Sequence, residues 1–280
     1  MKKDQLAEST IKVTDRRLRL ITKTVDLDKP EQIKEYLAKI QVKDSYKESL
    51  ANAYDRYVRY NGLTWDKPSI KRFSQPPYVP TTEETTMLIA NAGRTYSLIL
   101  SMLRDGGFRP IEIERMTLKW LDLNRGTVNV QTAKHGNGRT LQLKSQTVAM
   151  LKEYIERNNF SLNDNLFAKT TTVRSAYRKI RKRTAKKLKR PELLKVSLYS
   201  FRHYFATMLY HKTKDILYVK QQMGHKRLEN TLIYTHLINF ADDEWTHGTA
   251  QNLAEACKLI DAGFEYVTEM DGIKLFRKRK

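Results

Sequence analysis

Apolar residues along this chain recur mostly at helical intervals, and two short stretches alternate instead. Between Asp44 and Gly62, the positions Tyr46, Leu50, Ala53, Tyr54, Tyr57 and Val58 fall three and four apart. That spacing predicts an amphipathic helix ending at glycine. Ahead of it, Asp28-Lys29-Pro30-Glu31 offers an N-cap, an early proline and an acid three residues after the cap, so a shorter helix is predicted there. Lys47, Arg56 and Arg59 lie off the apolar stripe. They read either as solvated charges behind a packed face or as the outer side of a small helical module laid on DNA.

The pattern then breaks at Ser74-Gln75-Pro76-Pro77-Tyr78-Val79-Pro80, with three prolines in seven residues. Proline removes a backbone donor and restricts the residue before it, so this stretch is predicted to be a linker. Thr81 or Thr82 caps a new helix with Glu84 in its first turn. From there to about residue 248 the periodicity is mainly helical. The exception is Thr127–Thr132 and Arg139–Leu143, which alternate around His135-Gly136-Asn137-Gly138 and predict a β-hairpin. A second hairpin is predicted around Asp271-Gly272, between Glu265–Met270 and Ile273–Phe276. Before it, Leu253, Ala256, Cys257, Ile260 and Phe264 mark a helical stripe.

The expected organisation is therefore a helical module over 1–73, a linker over 74–80, a mostly helical domain over 81–248 and a helix-plus-hairpin tail over 249–280. The fold class is mainly α with a small β-hairpin or sheet, in two domains.

Charge narrows the function. Lys and Arg number 52 against 31 Asp and Glu, a formal net charge of +21. A surplus of that size implies an anionic partner, most commonly nucleic acid. Eleven of the cations and one acid, Glu192, fall between Arg174 and Lys195. On a helix, Arg174, Arg178, Arg181, Lys182, Lys186 and Lys187 would make a cationic ridge for DNA phosphates, although such a run can also be only a solvated face. The lone Cys257 excludes intrachain disulfides and fits a reducing compartment. The opening MKKDQLAEST lacks the apolar core of a signal peptide, and no apolar run approaches the roughly 20 residues of a membrane helix. A cytoplasmic protein with no membrane partner is expected.

The candidate chemistry lies in arginines, histidines and tyrosines. No His/Cys cluster has metal-ligand spacing, and neither a phosphate-binding glycine loop nor a nucleophile elbow occurs. Gly106-Gly107-Phe108-Arg109-Pro110-Ile111-Glu112 places an arginine among apolar residues with an acid one turn on, as a held guanidinium or an ordinary helix-start ion pair would be. Ser197–Thr207 sets Arg202 and His203 at the edge of a stripe made by Phe201, Phe205, Met208 and Leu209. Met223-Gly224-His225 is followed, nine residues after the histidine, by Tyr234.

In order and spacing these pieces resemble the tyrosine recombinase, or phage-type integrase, family. The resemblance covers roughly residues 81 to 245 and extends more loosely to the N-terminal module, which is similar to that family's core-binding domain. The Tyr-Thr-His at Tyr234 and the tail are similar to the archaeal, Xer-like branch. The resemblance implies that Arg109 and Arg202 are the catalytic arginines and Lys134 the hairpin lysine. It also implies that His225 is the histidine after glycine, Tyr234 the nucleophile, and Glu112 and His203 supporting residues. One position departs: where the family usually has histidine at the start of its H-x-x-R box, this chain has Tyr199, which takes that place among the candidate catalytic residues; a phenol can donate or accept a hydrogen bond but is a poor base at neutral pH.

The implied reaction is attack of Tyr234 on a phosphodiester, giving a 3′-phosphotyrosyl bond and a free 5′-hydroxyl that a second strand replaces. It needs no metal, cofactor or ATP, because two guanidinium forks carry the charge of the pentacoordinate transition state. Double-stranded DNA is the implied partner, bound by four protomers in one synapse. Tyr199 leaves open a DNA-binding protein with impaired catalysis, and the chemistry alone is shared with type IB topoisomerases.

Overall fold

The computed structural model describes residues 6–71, 75–131, 137–236, 245–270 and 272–279. By contacts the chain separates into two units, Met1–Gln75 and Pro76–Lys280, parted inside the proline-rich stretch.

The first unit holds three helices: α1 (Glu8–Ile21), α2 (Pro30–Lys39) and α3 (Asp44–Asn61). They close on Ile21, Ile33, Leu37, Leu50, Ala51, Tyr54 and Val58. The apolar face of α3 supplies much of this core, but Tyr46 is 37% exposed and lies outside it. Tyr54 is the keystone. Its ring meets Trp65 edge-on with centroids 4.7 Å apart, and its hydroxyl donates to the Leu27 carbonyl at 2.9 Å, so a large aromatic is buried with its polar end satisfied. At α2 the cap position is Lys29 rather than Asp28, and it makes no side-chain cap bond. Asp28 instead accepts from the Tyr57 hydroxyl at 2.7 Å, which links the helix start to α3. Helix α1 has no counterpart among the helices expected from sequence. Its inner face runs through Ile11, Thr14, Leu18 and Ile21, with Thr14 and Ile21 fully buried, so its helical spacing was present in the sequence and was missed.

The second unit is built around α5 (Arg94–Gly106), which is buried on nearly every side, at Leu98, Ile99, Leu100, Ser101, Met102, Leu103, Asp105 and Gly106. A helix apolar all round belongs in the centre of a domain. Around it stand α4 (Thr82–Ala90), the short α6 (Pro110–Glu114), α7 (Ser145–Asn158), α8 (Thr170–Lys187) and α9 (Leu198–Thr213), followed by α10 (Ile216–Met223) and α11 (Glu229–Leu232). Thr81 is the cap of α4: its hydroxyl accepts from Glu84 N at 3.1 Å and the Glu84 carboxylate accepts from Thr81 N at 2.8 Å.

The alternating stretches form strands β2 (Thr127–Val130) and β3 (Arg139–Gln142), with a two-residue β1 (Leu121–Asp122) added at the edge. The pairing is antiparallel, with Val128 opposite Leu141 and Val130 opposite Arg139. The described ladder ends at Val130 and Arg139. Lys134 and the rest of 132–136 lie outside the described residues.

In the tail, β4 (Trp245–Ala250), α12 (Leu253–Asp261), β5 (Glu265–Met270) and β6 (Ile273–Arg279) make a three-stranded sheet ordered β4-β6-β5 with a helix. The expected hairpin is β5–β6. Two expectations are corrected. Strand β4 runs from Trp245 to Ala250 and all of it pairs with β6, so a boundary at 248/249 would cut a strand. The buried face of α12 is Ala256 with Leu259, packed with Phe264, Ala250 and Phe276, whereas Leu253 and Ile260 are 75% and 57% exposed and Cys257 is exposed. Among the described residues no helix is long and apolar enough to cross a membrane.

Candidate active site

Helix α5 ends at Gly107, which stands in the left-handed conformation at φ 57° with the Phe205 ring against it. A Cβ there would lie 2.3 Å from that ring, so only glycine lets α9 approach. The turn is fixed from behind by Asp105, whose buried carboxylate takes Arg104, the Thr147 hydroxyl at 2.7 Å and Lys144 at 3.3 Å. Arg109 follows as the cap residue of α6, ahead of Pro110.

Glu112 is fully buried and its two oxygens organise the site. Oε2 accepts from Arg109 N at 2.9 Å and Oε1 from Arg109 Nη1 at 2.7 Å. The same oxygens accept from Arg139, Oε2 from Nη2 at 2.8 Å and Oε1 from Nη1 at 3.2 Å. Burial pushes this carboxyl up, yet the hydrogen bonds and charge of Arg139, the Arg109 backbone N–H and the charge of Arg202 outweigh it. Glu112 is therefore held below the ordinary carboxylate range.

Arg202 belongs to the first half of α9, whose start is fixed by a reciprocal pair: Ser200 N donates to Ser197 Oγ at 3.1 Å and Ser197 N to Ser200 Oγ at 3.0 Å. Rather than lying at the edge of the apolar face, Arg202 is 4% exposed. Its guanidinium donates to the Gly107 carbonyl, to the Met223 carbonyl at 2.6 Å and towards His225 Nε2 at 3.2 Å. Burial, then the charges of Arg109 and Arg139, pull it down to about 9, still protonated at neutral pH.

His225 follows Gly224, which closes α10 at φ 61°. A Cβ on Gly224 would stand 2.9 Å from the Asn137 carbonyl and 3.1 Å from Arg139 Nη1, so this turn is packed directly on the β-hairpin. Because Arg202 can only donate, Nε2 of His225 is the acceptor. Its proton is on Nδ1, which donates to Thr231 Oγ1 at 2.9 Å. Burial and the charges of Arg202, Arg109 and Arg139 push His225 down to about 4, so the ring is neutral in the free protein.

Tyr234 is 3% exposed, in a pocket with Ala206, Val219 and Met223. Its hydroxyl lies 3.1 Å from His203 Nδ1. Burial raises the Tyr234 phenol, partly opposed by Arg202 and Arg109, and burial followed by the charge of Arg202 lowers His203.

The structure thus gathers Arg109, Glu112, Arg202, His203, His225 and Tyr234. It does not bring Tyr199 to them by any hydrogen bond: that residue is 43% exposed and, among the described residues, has no hydrogen-bond partner. Tyr199 lines a pocket of about 210 Å³ with Pro110, Arg174, Arg178, Arg181 and Ser197. Along α8, Arg174, Arg178, Lys182 and Lys186 are exposed. Of the other two expected ridge residues, Arg181 is half-buried and donates to the Val196 carbonyl at 2.6 Å, while Lys187 is exposed and donates to Asn91 Oδ1 at 3.0 Å. Sequence reasoning missed Arg139. The signal was present: in Arg139-Thr140-Leu141-Gln142-Leu143 the arginine shares the face of two buried leucines, and an inward arginine needs a buried counter-charge. Among the described residues there is no group of three or more His, Cys, Asp or Glu side chains placed to hold a metal.

The chain belongs to the phage integrase family, whose model matches residues 81–239, the stretch that carries this whole cluster. Among curated proteins it is 32% identical over 145 residues to tyrosine recombinase XerA of Saccharolobus solfataricus, covering 50% of this chain and 45% of that one. It is 25% identical over 234 residues to XerA of Pyrococcus furiosus, covering 79% and 77%. The chain thus spans about half the length of the first of these relatives. Among solved structures, a XerA recombinase superposes with a TM-score of 0.51 at 21% identity, covering 94% of this chain and 95% of that one. The Tn1549 transposon integrase in complex with transposon right end DNA superposes at 0.64 with 15% identity, covering 84% and 91%. These likenesses fix the fold as mainly helical with small antiparallel sheets, the tyrosine recombinase architecture.

Proposed function

We propose that this protein is a site-specific DNA recombinase that cuts and rejoins strands through a covalent bond to Tyr234. The observation that carries the reading is the pairing of Tyr234 Oη with His203 Nδ1 at 3.1 Å beside two arginines fixed by buried partners. Tyr234 attacks the scissile phosphorus, its proton passes to His203, and the 5′-oxygen leaves with a proton. The phosphorus stays on Tyr234 until another 5′-hydroxyl displaces it, so each step exchanges one phosphoester for another and no ATP is consumed. Lys134, which falls between β2 and β3 in the sequence, is our candidate for protonating the leaving oxygen.

Arg109 and Arg202 face the nonbridging oxygens, where charge grows in the transition state. Preorganised donors of this kind are worth roughly 3–4 kcal/mol each in well-studied enzymes. His225 joins them only after a change. In the free protein its Nε2 is turned to Arg202 as an acceptor, so Nε2 donates to a bound phosphate only once it carries a proton, through protonation of the ring or through a tautomer exchange in which Nδ1 accepts from the Thr231 hydroxyl. The exposed cations of α8 and the pocket beside Tyr199 supply a path for the duplex backbone next to Arg109. Assembly of four protomers on two duplexes is part of the same proposal. The binding-only reading rested on Tyr199, and it loses its motive because His203 supplies a proton acceptor.

The test is a pool of duplexes, each nicked so that the cleaved fragment diffuses away, resolved on a denaturing gel. Wild type should give a covalent protein–DNA band whose sequenced ends define the site. Binding without any such band would leave a DNA-binding protein in place of an enzyme.

A further inference from the structure

Arg139 is a third guanidinium in the cluster, and the reaction as set out above does not use it. It opens β3 opposite Val130, and its side chain is 1% exposed. Both of its terminal nitrogens go to Glu112, while its Nε has no hydrogen-bond partner among the described residues. A buried ion pair is a poor source of stability, because desolvation offsets most of its attraction. The charge count gives it another use. Arg109, Arg139 and Arg202 against Glu112, with both imidazoles neutral, leave two positive charges uncompensated around the site.

A phosphodiester carries one negative charge, and its pentacoordinate transition state approaches two. Were Glu112 shared with Arg109 alone, the carboxylate would orient that guanidinium and also cancel it. Shared between two arginines, it orients Arg109 through both a backbone and a side-chain bond while a second cation takes up its charge. Arg139 is also placed to act on the other half of the site, because its Nη1 packs under the Gly224 turn that precedes His225.

We propose that Arg139 is a positioning residue for strand cleavage: it neutralises Glu112 so that Glu112 can hold Arg109 without cancelling it. The inference rests on the strand-cleaving reading of the cluster.

The test uses the full chain and nicked duplexes bearing the sequence recovered from wild-type adducts. Each duplex is made with an ordinary scissile phosphodiester or with a methylphosphonate, in which a methyl group replaces one nonbridging oxygen and removes the charge. Single-turnover adduct formation is followed for wild type, Arg139→Met, Arg139→Lys and the Arg139→Met, Glu112→Gln double variant, with DNA binding and melting measured alongside. On the phosphodiester, R139M should lose about 100- to 1,000-fold, the scale of one lost electrostatic donor. DNA binding should persist, because a residue this buried is not part of the docking surface. The deficit should shrink on the methylphosphonate, where less charge develops. R139K should recover part of it, and the double variant most of it, since E112Q restores the charge count. If R139M is unfolded at the assay temperature, the double variant and R139K carry the same comparison. A loss equal on the two substrates, or no rescue by E112Q, marks a packing defect and overturns the inference. Wild type forming no adduct on any duplex would sink the strand-cleaving reading, and the inference with it.

Discussion

Replacing His203 with phenylalanine tests how the nucleophile loses its proton. Tyr234 is buried and its phenol is raised by that burial, so almost none of it is ionised at neutral pH. The nearby acceptor is His203 Nδ1, 3.1 Å away. Burial and the Arg202 charge lower His203 below its ordinary 6.5, so the ring is neutral and able to accept at pH 7. Phenylalanine fills the same half-buried space and cannot accept. Loss of a positioned general base costs about 100- to 10,000-fold, or roughly 3–5 kcal/mol at 1.36 kcal/mol per tenfold. The assay is single-turnover adduct formation on a nicked duplex between pH 6 and 9, with binding measured separately. Wild type should be level above about pH 7 and fall as His203 protonates at lower pH. His203→Phe should bind DNA as wild type does, cleave slowly, and gain about tenfold per pH unit as hydroxide takes over the deprotonation. A variant that cleaves at the wild-type rate with the wild-type pH profile would refute this role.

Four further outcomes follow from the same geometry. The His225 Cε1 proton should titrate in NMR near pH 4 in the free protein and shift upward when DNA is bound, and an ordinary midpoint near 6.5 without DNA would contradict the Arg202 contact. Since folding depresses His203 and His225, the unfolded chain takes up protons first; their contribution to stability is whole above pH 6.5 and is lost as pH falls towards 4, which melting curves should record. Gly224→Ala puts a side chain at φ 61° against the Asn137 carbonyl, and should cost about 1–2 kcal/mol, lowering the melting temperature by about 2–8 °C and slowing cleavage. Nonspecific binding should weaken linearly on a log–log salt plot, and removing one exposed ridge cation such as Lys186 should reduce the slope by about 0.9 if it sits on a phosphate.

The helices placed one by one from sequence were legible through caps and apolar spacing, as Leu50, Ala53, Tyr54 and Val58 show on α3, whereas most of the second unit read only as mainly helical. Helix α1 was missed although Ile11, Thr14, Leu18 and Ile21 stand at helical spacing, because a threonine sits in the middle of its inner face and no capping side chain marks its start. On α12 the sequence shows two overlapping apolar stripes, and only packing against Gly248, Phe264 and Phe276 selects the one through Ala256 and Leu259. In the site, the family resemblance in order and spacing named Arg109, Glu112, Arg202, His203, His225 and Tyr234 as candidates, and the fold brings these six together. Their partners were beyond its reach. Which nitrogen of His225 carries the proton depends on Arg202, brought from 23 residues away, and the partner of Tyr234 is a histidine 31 residues upstream. Arg139 escaped because it lies outside every family motif considered, although its inward position on β3 marked it. Tyr199 drew attention as a departure from the pattern, yet on α9 it stands 43% exposed.

The central claim is a covalent bond between DNA and one particular tyrosine, and peptide mapping of the adduct reads that bond. Wild type is trapped on a nicked duplex, denatured and digested with nuclease and protease, and the peptides are analysed by mass spectrometry. The account predicts a single nucleotide-bearing peptide with its phosphate on Tyr234, and no adduct at all from Tyr234→Phe. A nucleotide carried on Tyr199, Tyr204 or any other residue, or an adduct that survives in Tyr234→Phe, would contradict it.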